Sequence, residues 1–121
     1  MDGKLDSMVA FKIDTLPIRG IKWMCEIVET TEFSNWLSNI KDGTTRRRLL
    51  TRLRKVSLGN FGDVQPVGEG VSELREHFGP GWRMYFVQRG TLLVIMLGGG
   101  DKSSQQMDIA KAIALSKTIE D

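Results

Sequence analysis

A chain of 121 residues with 40% hydrophobic and 26% charged side chains is sized and composed for one soluble domain with a single core. A net charge of +2 does not by itself announce a nucleic-acid binder, and one cysteine with one histidine excludes a disulfide framework and a zinc-type ligand set. No stretch has transmembrane length and no secretory signal opens the chain, so the plain expectation is a cytoplasmic protein.

Residues 1–20 carry mixed charge, Pro17 and weak periodicity, and read as a flexible N-terminal extension outside a domain spanning residues 21–121. The alternation over residues 9–13 leaves an edge strand open there. Residues 21–28 read as the first strand of the domain, with Ile21, Trp23, Cys25 and Ile27 on one face. Thr30, Thr31 and Glu32 offer helix-starting chemistry, and Phe33, Trp36, Leu37 and Ile40 follow at helical spacing. Asp42-Gly43 breaks that helix, and Thr44 or Thr45 can cap a second one running to Val56. Leu49, Leu50, Leu53 and Val56 gather on its apolar side. Arg47, Arg48, Arg52, Arg54 and Lys55 fan over the opposite side, with no acid between Thr44 and Asn60. Such a lopsided face suits RNA phosphates, and it suits an acidic protein segment equally.

Turn residues at 59–63 precede Gln65-Pro66-Val67, which reads as an edge strand or a loop because proline cannot donate to a central ladder. Three strands follow from Val71 to Leu97, the last an almost unbroken apolar run. Alternation places Arg75 and His77 on one face with Leu74 opposite, and Arg83 and Tyr85 opposite Trp82, Met84 and Phe86. A final helix is expected from Ser104 to Ile119. Ser103 and Gln106 form its capping box, and Met107, Ala110, Ile113 and Ala114 its inward face. The glycines at 98–100 lack the spacing of a phosphate-binding loop. The order β-α-α-β-β-β-α predicts an α+β fold, a helical hairpin packed on a small antiparallel sheet.

Several ordered motifs resemble the RelE/ParE toxin superfamily, nearest its phage-derived, HigB-like addiction module killer branch. They are F-S-N-W-L at 33–37, G-N-F-G-D at 59–63, G-V-S-E-L-R at 70–75, G-P-G-W-R-M-Y-F at 79–86 and G-G-G-D-K-S-S-Q at 98–105. The resemblance runs from about Met24 to the C-terminus. It implies a RelE-like fold and the toxin of a type II toxin–antitoxin pair, held in a hetero-oligomer by a cognate antitoxin of helix-turn-helix type. RelE-like members cleave mRNA at the ribosome as metal-independent endoribonucleases without a cofactor. ParE-like members instead inhibit DNA gyrase without catalysis, and inactive members are a further alternative. By this resemblance Arg83 matches a phosphate-contacting arginine, Lys102 a basic residue just after the last strand, and Arg75 a second strand arginine. Val71 and Glu73 stand where the best-studied pattern has lysines, and Asp108 where it has a tyrosine. Either another base and acid serve the chemistry, or cleavage is not the function. From the residues themselves, His77 is the natural proton-transfer group, with Asp108 or Glu73 to orient or replace it. Tyr85 is open to stacking on a base or to covering the sheet.

Overall fold

The computed structural model describes residues 8–11 and 25–119. Ile21 and Trp23, assigned above to the first strand of the domain, lie outside the described residues. Their expected continuation is β2, Glu26–Thr30, with Ile27 buried. The edge strand left open near residue 9 exists as β1, Met8–Phe11, antiparallel to β2. Part of the extension therefore belongs to the sheet.

Thr30 ends β2 and starts α1, Thr31–Ser38. Its hydroxyl oxygen accepts from the Phe33 N–H at 3.2 Å and donates to the Met96 carbonyl at 2.8 Å, so one side chain caps a helix and ties it to the sheet. The second helix, α2, spans Gly43–Ser57, and its cap is Asp42 instead of Thr44 or Thr45. That carboxylate accepts from the Thr44 N–H at 3.3 Å and the Thr45 hydroxyl at 2.8 Å, turning both threonines into donors. The residue that breaks the first helix thus begins the second. Leu49, Leu53 and Val56 are fully buried, as their spacing requires.

The remaining strands are β3 (Val64–Gly68), β4 (Val71–Arg75), β5 (Arg83–Arg89) and β6 (Leu93–Gly100). They join one sheet in the order β1-β2-β6-β5-β4-β3, with Pro66 on an edge strand beside a register shift. The sheet is mixed, not antiparallel throughout, because β2 and β6 run parallel. The helical hairpin ends with the Ser57 carbonyl accepting from the Cys25 N–H at the start of β2, and residues 58–63 then carry the chain into β3, which runs against β2. Three further reversals then leave β6 running the same way as β2.

Both faces are covered. Ile27, Leu74, Met84, Phe86, Val94 and Met96 pack under α1 and α2. Val71, Tyr85, Val87, Ile95 and Leu97 pack under the last helix, α3, Gln105–Thr118. Two-sided burial explains the continuous apolar run of β6. The expected capping box is not formed. Asp101 instead accepts from the Ser103 N–H at 2.8 Å and caps a single 3₁₀ turn, Lys102–Ser104. That turn shifts the phase of α3, so Ile109, Ala112, Leu115 and Ser116 face inward with Ile113. Met107 is 61% exposed, and Ala110 and Ala114 are exposed too, against expectation. No helix among the described residues is long and apolar enough to cross a membrane.

The glycines ending β6 admit neighbours that a side chain would exclude. A Cβ on Gly99 would fall 2.5 Å from the Trp36 ring. Gly99→Ala is therefore expected to cost about 1–3 kcal/mol by overpacking, read as a lower urea midpoint at unchanged slope. An unchanged midpoint would mean α1 does not press on this strand.

Candidate functional site

A cleft of about 420 Å³ opens where α2 meets the turn before β3 and the loop after β4. Arg48, Arg52 and Lys55 enter it from α2, Asp63 from the turn, and Arg75, Glu76 and His77 from the end of β4 and the loop beyond. Four basic side chains, three arginines and a lysine, face two acids there. The positive excess is local, and the small net charge of the whole chain hides it.

His77 does not share the β4 face with Arg75. The strand stops at Arg75, and His77 stands 65% exposed in the loop. Its Nε2 lies 2.6 Å from Oδ2 of Asp63. The bond to His77 is the largest influence holding the Asp63 carboxyl below its ordinary range, and the nearby positive charge of Arg75 acts in the same direction. An ionised Asp63 fixes the ring and leaves Nδ1 as the nitrogen it does not engage.

The loop between β4 and β5 is rigidly held. Arg83, 1% exposed, donates from Nη1 to the carbonyls of Glu76 at 3.0 Å and Trp82 at 3.1 Å. The Glu76 N–H donates to the Trp82 carbonyl at 2.9 Å, closing the loop's neck. Arg52 binds the Glu76 carboxylate at 2.5 Å and the carbonyls of Phe61, Asp63 and Arg75. Gly62, at φ +65°, turns the backbone close enough for this, with the space a Cβ would need lying 3.2 Å from the Arg52 guanidinium.

These contacts correct several expectations. Arg83 is a buried brace of the His77 loop, not an exposed phosphate clamp. Arg52 is likewise spent on internal partners, so the basic ridge loses one member to the fold. Tyr85 is fully buried and donates to Glu73 at 3.0 Å, which removes it as a base-stacking surface. Asp108 accepts from the Ser104 hydroxyl at 2.5 Å on α3, on the face of the sheet opposite α2, and does not orient His77. Lys102 is exposed, with its methylene chain against Gly81, and does not line the cleft. Arg47 points to Thr44 Oγ1 at 3.2 Å, and Arg54 is exposed on α2; neither lines the cleft. Of the expected site residues, the cleft gathers Arg48, Arg52, Lys55, Arg75 and His77.

Behind the cleft, Glu73 is the hub of a buried network. Its Oε2 accepts from Tyr85 and, at 2.8 Å, from Gln105 of α3, while Arg75 and Arg83 each approach Oε1 at 3.7 Å. Burial first, then the bond to Glu73, pushes the Tyr85 phenol well above its usual range. Tyr85 therefore contributes stability that is complete below the unfolded value of about 10 and lost as pH climbs toward the higher folded value. It is the chain's one tyrosine, so absorbance of the phenolate reports it alone. The native protein is expected to show no phenolate at pH values near 11 until it unfolds, with both signals rising together. Ionisation ahead of unfolding would contradict the buried placement.

Asp63 and Glu76 were not legible as site residues. Asp63 stands 14 positions from its histidine, and no local spacing signals the pairing.

A six-stranded mixed sheet with helices on both faces and a cationic cleft at one end defines a small α+β protein. The chain is 38% identical over 94 residues to an uncharacterized protein of Haemophilus influenzae, an alignment covering 78% of this chain and 95% of that protein. It belongs to that protein's family. No family model and no solved structure matches it.

Proposed function

We propose that the chain is a cytoplasmic endoribonuclease toxin that cleaves mRNA with its own side chains as acid and base, and that a helix-turn-helix antitoxin holds it inactive. The observation that carries the catalytic part is the His77–Asp63 pair, 2.6 Å apart, in a cleft walled by Lys55 and Arg75. The toxin and antitoxin parts rest on the ordered RelE/ParE-like motifs.

In the reaction, His77 Nδ1 takes the proton of a 2′-hydroxyl. The 2′-oxygen bonds to phosphorus as the bond from phosphorus to the 5′-oxygen breaks, and Lys55 protonates that leaving oxygen. Arg75 offers a planar fork to the non-bridging oxygens, where charge accumulates. Asp63 stays ionised, orients the imidazole and stabilises its protonated form. The products are a 2′,3′-cyclic phosphate and a free 5′-hydroxyl.

The test incubates the purified protein with RNA in excess chelator, with and without ribosomes, and maps the termini. Cyclic-phosphate ends that vanish when the substrate is 2′-O-methylated are expected. Intact RNA under both conditions would sink the nuclease reading. Induction in a bacterial host is expected to arrest growth until the small helix-turn-helix protein of an adjacent reading frame is co-expressed. Broken DNA with intact transcripts would point instead to a gyrase inhibitor.

A further inference from the structure

The loop that presents His77 also carries Phe78, and Phe78 lies beneath Arg48. The guanidinium carbon of Arg48 stands 3.6 Å from the centre of the phenyl ring. Phe78 is half-buried and packed against the core under α1 and α2, so the ring is a fixed floor. Arg48 is exposed and lines the cleft. An arginine on a solvated helix ordinarily samples many rotamers. Here the ring seats the guanidinium carbon at van der Waals distance and so restrains the side chain, while the exposed cation still lines the cleft. A guanidinium plane restrained in this way suits a nucleobase, because bases stack on arginine as readily as on aromatic rings.

We infer that Arg48, seated on Phe78, is a stacking platform for one unpaired base of the substrate. Phe78 follows His77 directly in the chain, so the stacked base belongs to a nucleotide next to the phosphodiester being cut. A base held in a duplex presents no free face, so the platform restricts the substrate to single-stranded RNA. The inference rests on the proposed RNA substrate and adds what part of it is recognised. It also separates two kinds of cation in the cleft: Arg75 and Lys55 meet phosphate, whereas Arg48 meets a base.

The test measures binding apart from cleavage. Fluorescence anisotropy compares a five-nucleotide 2′-O-methyl oligoadenylate, an abasic backbone of the same length, and a 2′-O-methyl duplex. Wild-type protein is expected to bind the base-bearing single strand about ten-fold tighter than the other two, which is about 1.4 kcal/mol and within the range for one stacked base. Arg48→Lys keeps the charge and loses the plane; Phe78→Leu keeps apolar bulk and loses the ring. Both are expected to lower oligoadenylate affinity to the abasic level, with circular dichroism confirming the fold. Lys55→Ala is expected to weaken all three probes alike. Equal affinity of wild type for the base-bearing and abasic strands, or R48K binding like wild type, would overturn the platform. Base-dependent binding without any cutting of unmodified RNA would leave the platform standing and remove the nuclease reading. Cutting with an R48K protein that binds like wild type would do the reverse.

Discussion

His77→Ala is expected to lower the rate of RNA cleavage by at least about 100-fold while leaving the fold intact, because positioned acid–base groups contribute roughly 10²–10⁴ each. The side chain is 65% exposed and bonds to Asp63 outside the core, so no core packing depends on it. Single-turnover kinetics and a urea melt on the same preparation separate the two quantities. Asp63→Asn should give a smaller loss, because the imidazole survives and only its orientation and charge support weaken. The depressed Asp63 carboxyl also sets a sign for acid. Its contribution to the pair is present above the unfolded value of about 3.9 and is lost as pH falls through the lower folded value. Cleavage at wild-type rate in H77A would remove the dyad as the chemical centre.

Arg83→Ala is expected to destabilise the protein by about 3–5 kcal/mol, the usual cost of removing one partner from a buried charged set. Three losses coincide. The Glu76 carbonyl loses its arginine donor and the Trp82 carbonyl one of two donors, the buried carboxylate of Glu73 loses one of two neighbouring cations, and a cavity opens beside Tyr85. Activity should fall with stability, since the neck of the His77 loop is released. Arg83→Lys retains charge but cannot reach the two carbonyls with one nitrogen while a second faces Glu73, and should recover only part of the loss. Were the arginine a phosphate clamp, alanine would abolish cleavage with little change in the urea midpoint. That pattern would overturn the bracing role.

The two kinds of residue at this site differ in how they can be read. Cationic side chains on α2 announce themselves by helical spacing, and the leucines on the other side show which way they point. Their individual fates do not follow from spacing. Arg48, Arg52 and Arg54 share one helix, yet one stacks on Phe78, one is consumed by four carbonyl and carboxylate groups, and one stands on the outer surface. What separates them is the position of the 59–63 turn and the 76–82 loop, set by strand pairing far along the chain. His77 shows the same limit. Extending the strand alternation two residues beyond Arg75 put it on the Arg75 face, whereas the chain leaves the ladder there and swings the ring to Asp63.

From residue order alone came the two amphipathic helices, the meander, the basic face of α2 and a histidine beside arginines. These depend on local periodicity, and local periodicity is written in neighbouring residues. Tertiary structure decided the parallel β2–β6 pairing, the phase of α3, the burial of Arg83 and Tyr85, and the meeting of Asp63 with His77. Each joins groups far apart in sequence or turns on which side of the sheet a helix settles. Hydrophobic packing settles those matters cooperatively, and no short window of sequence contains them.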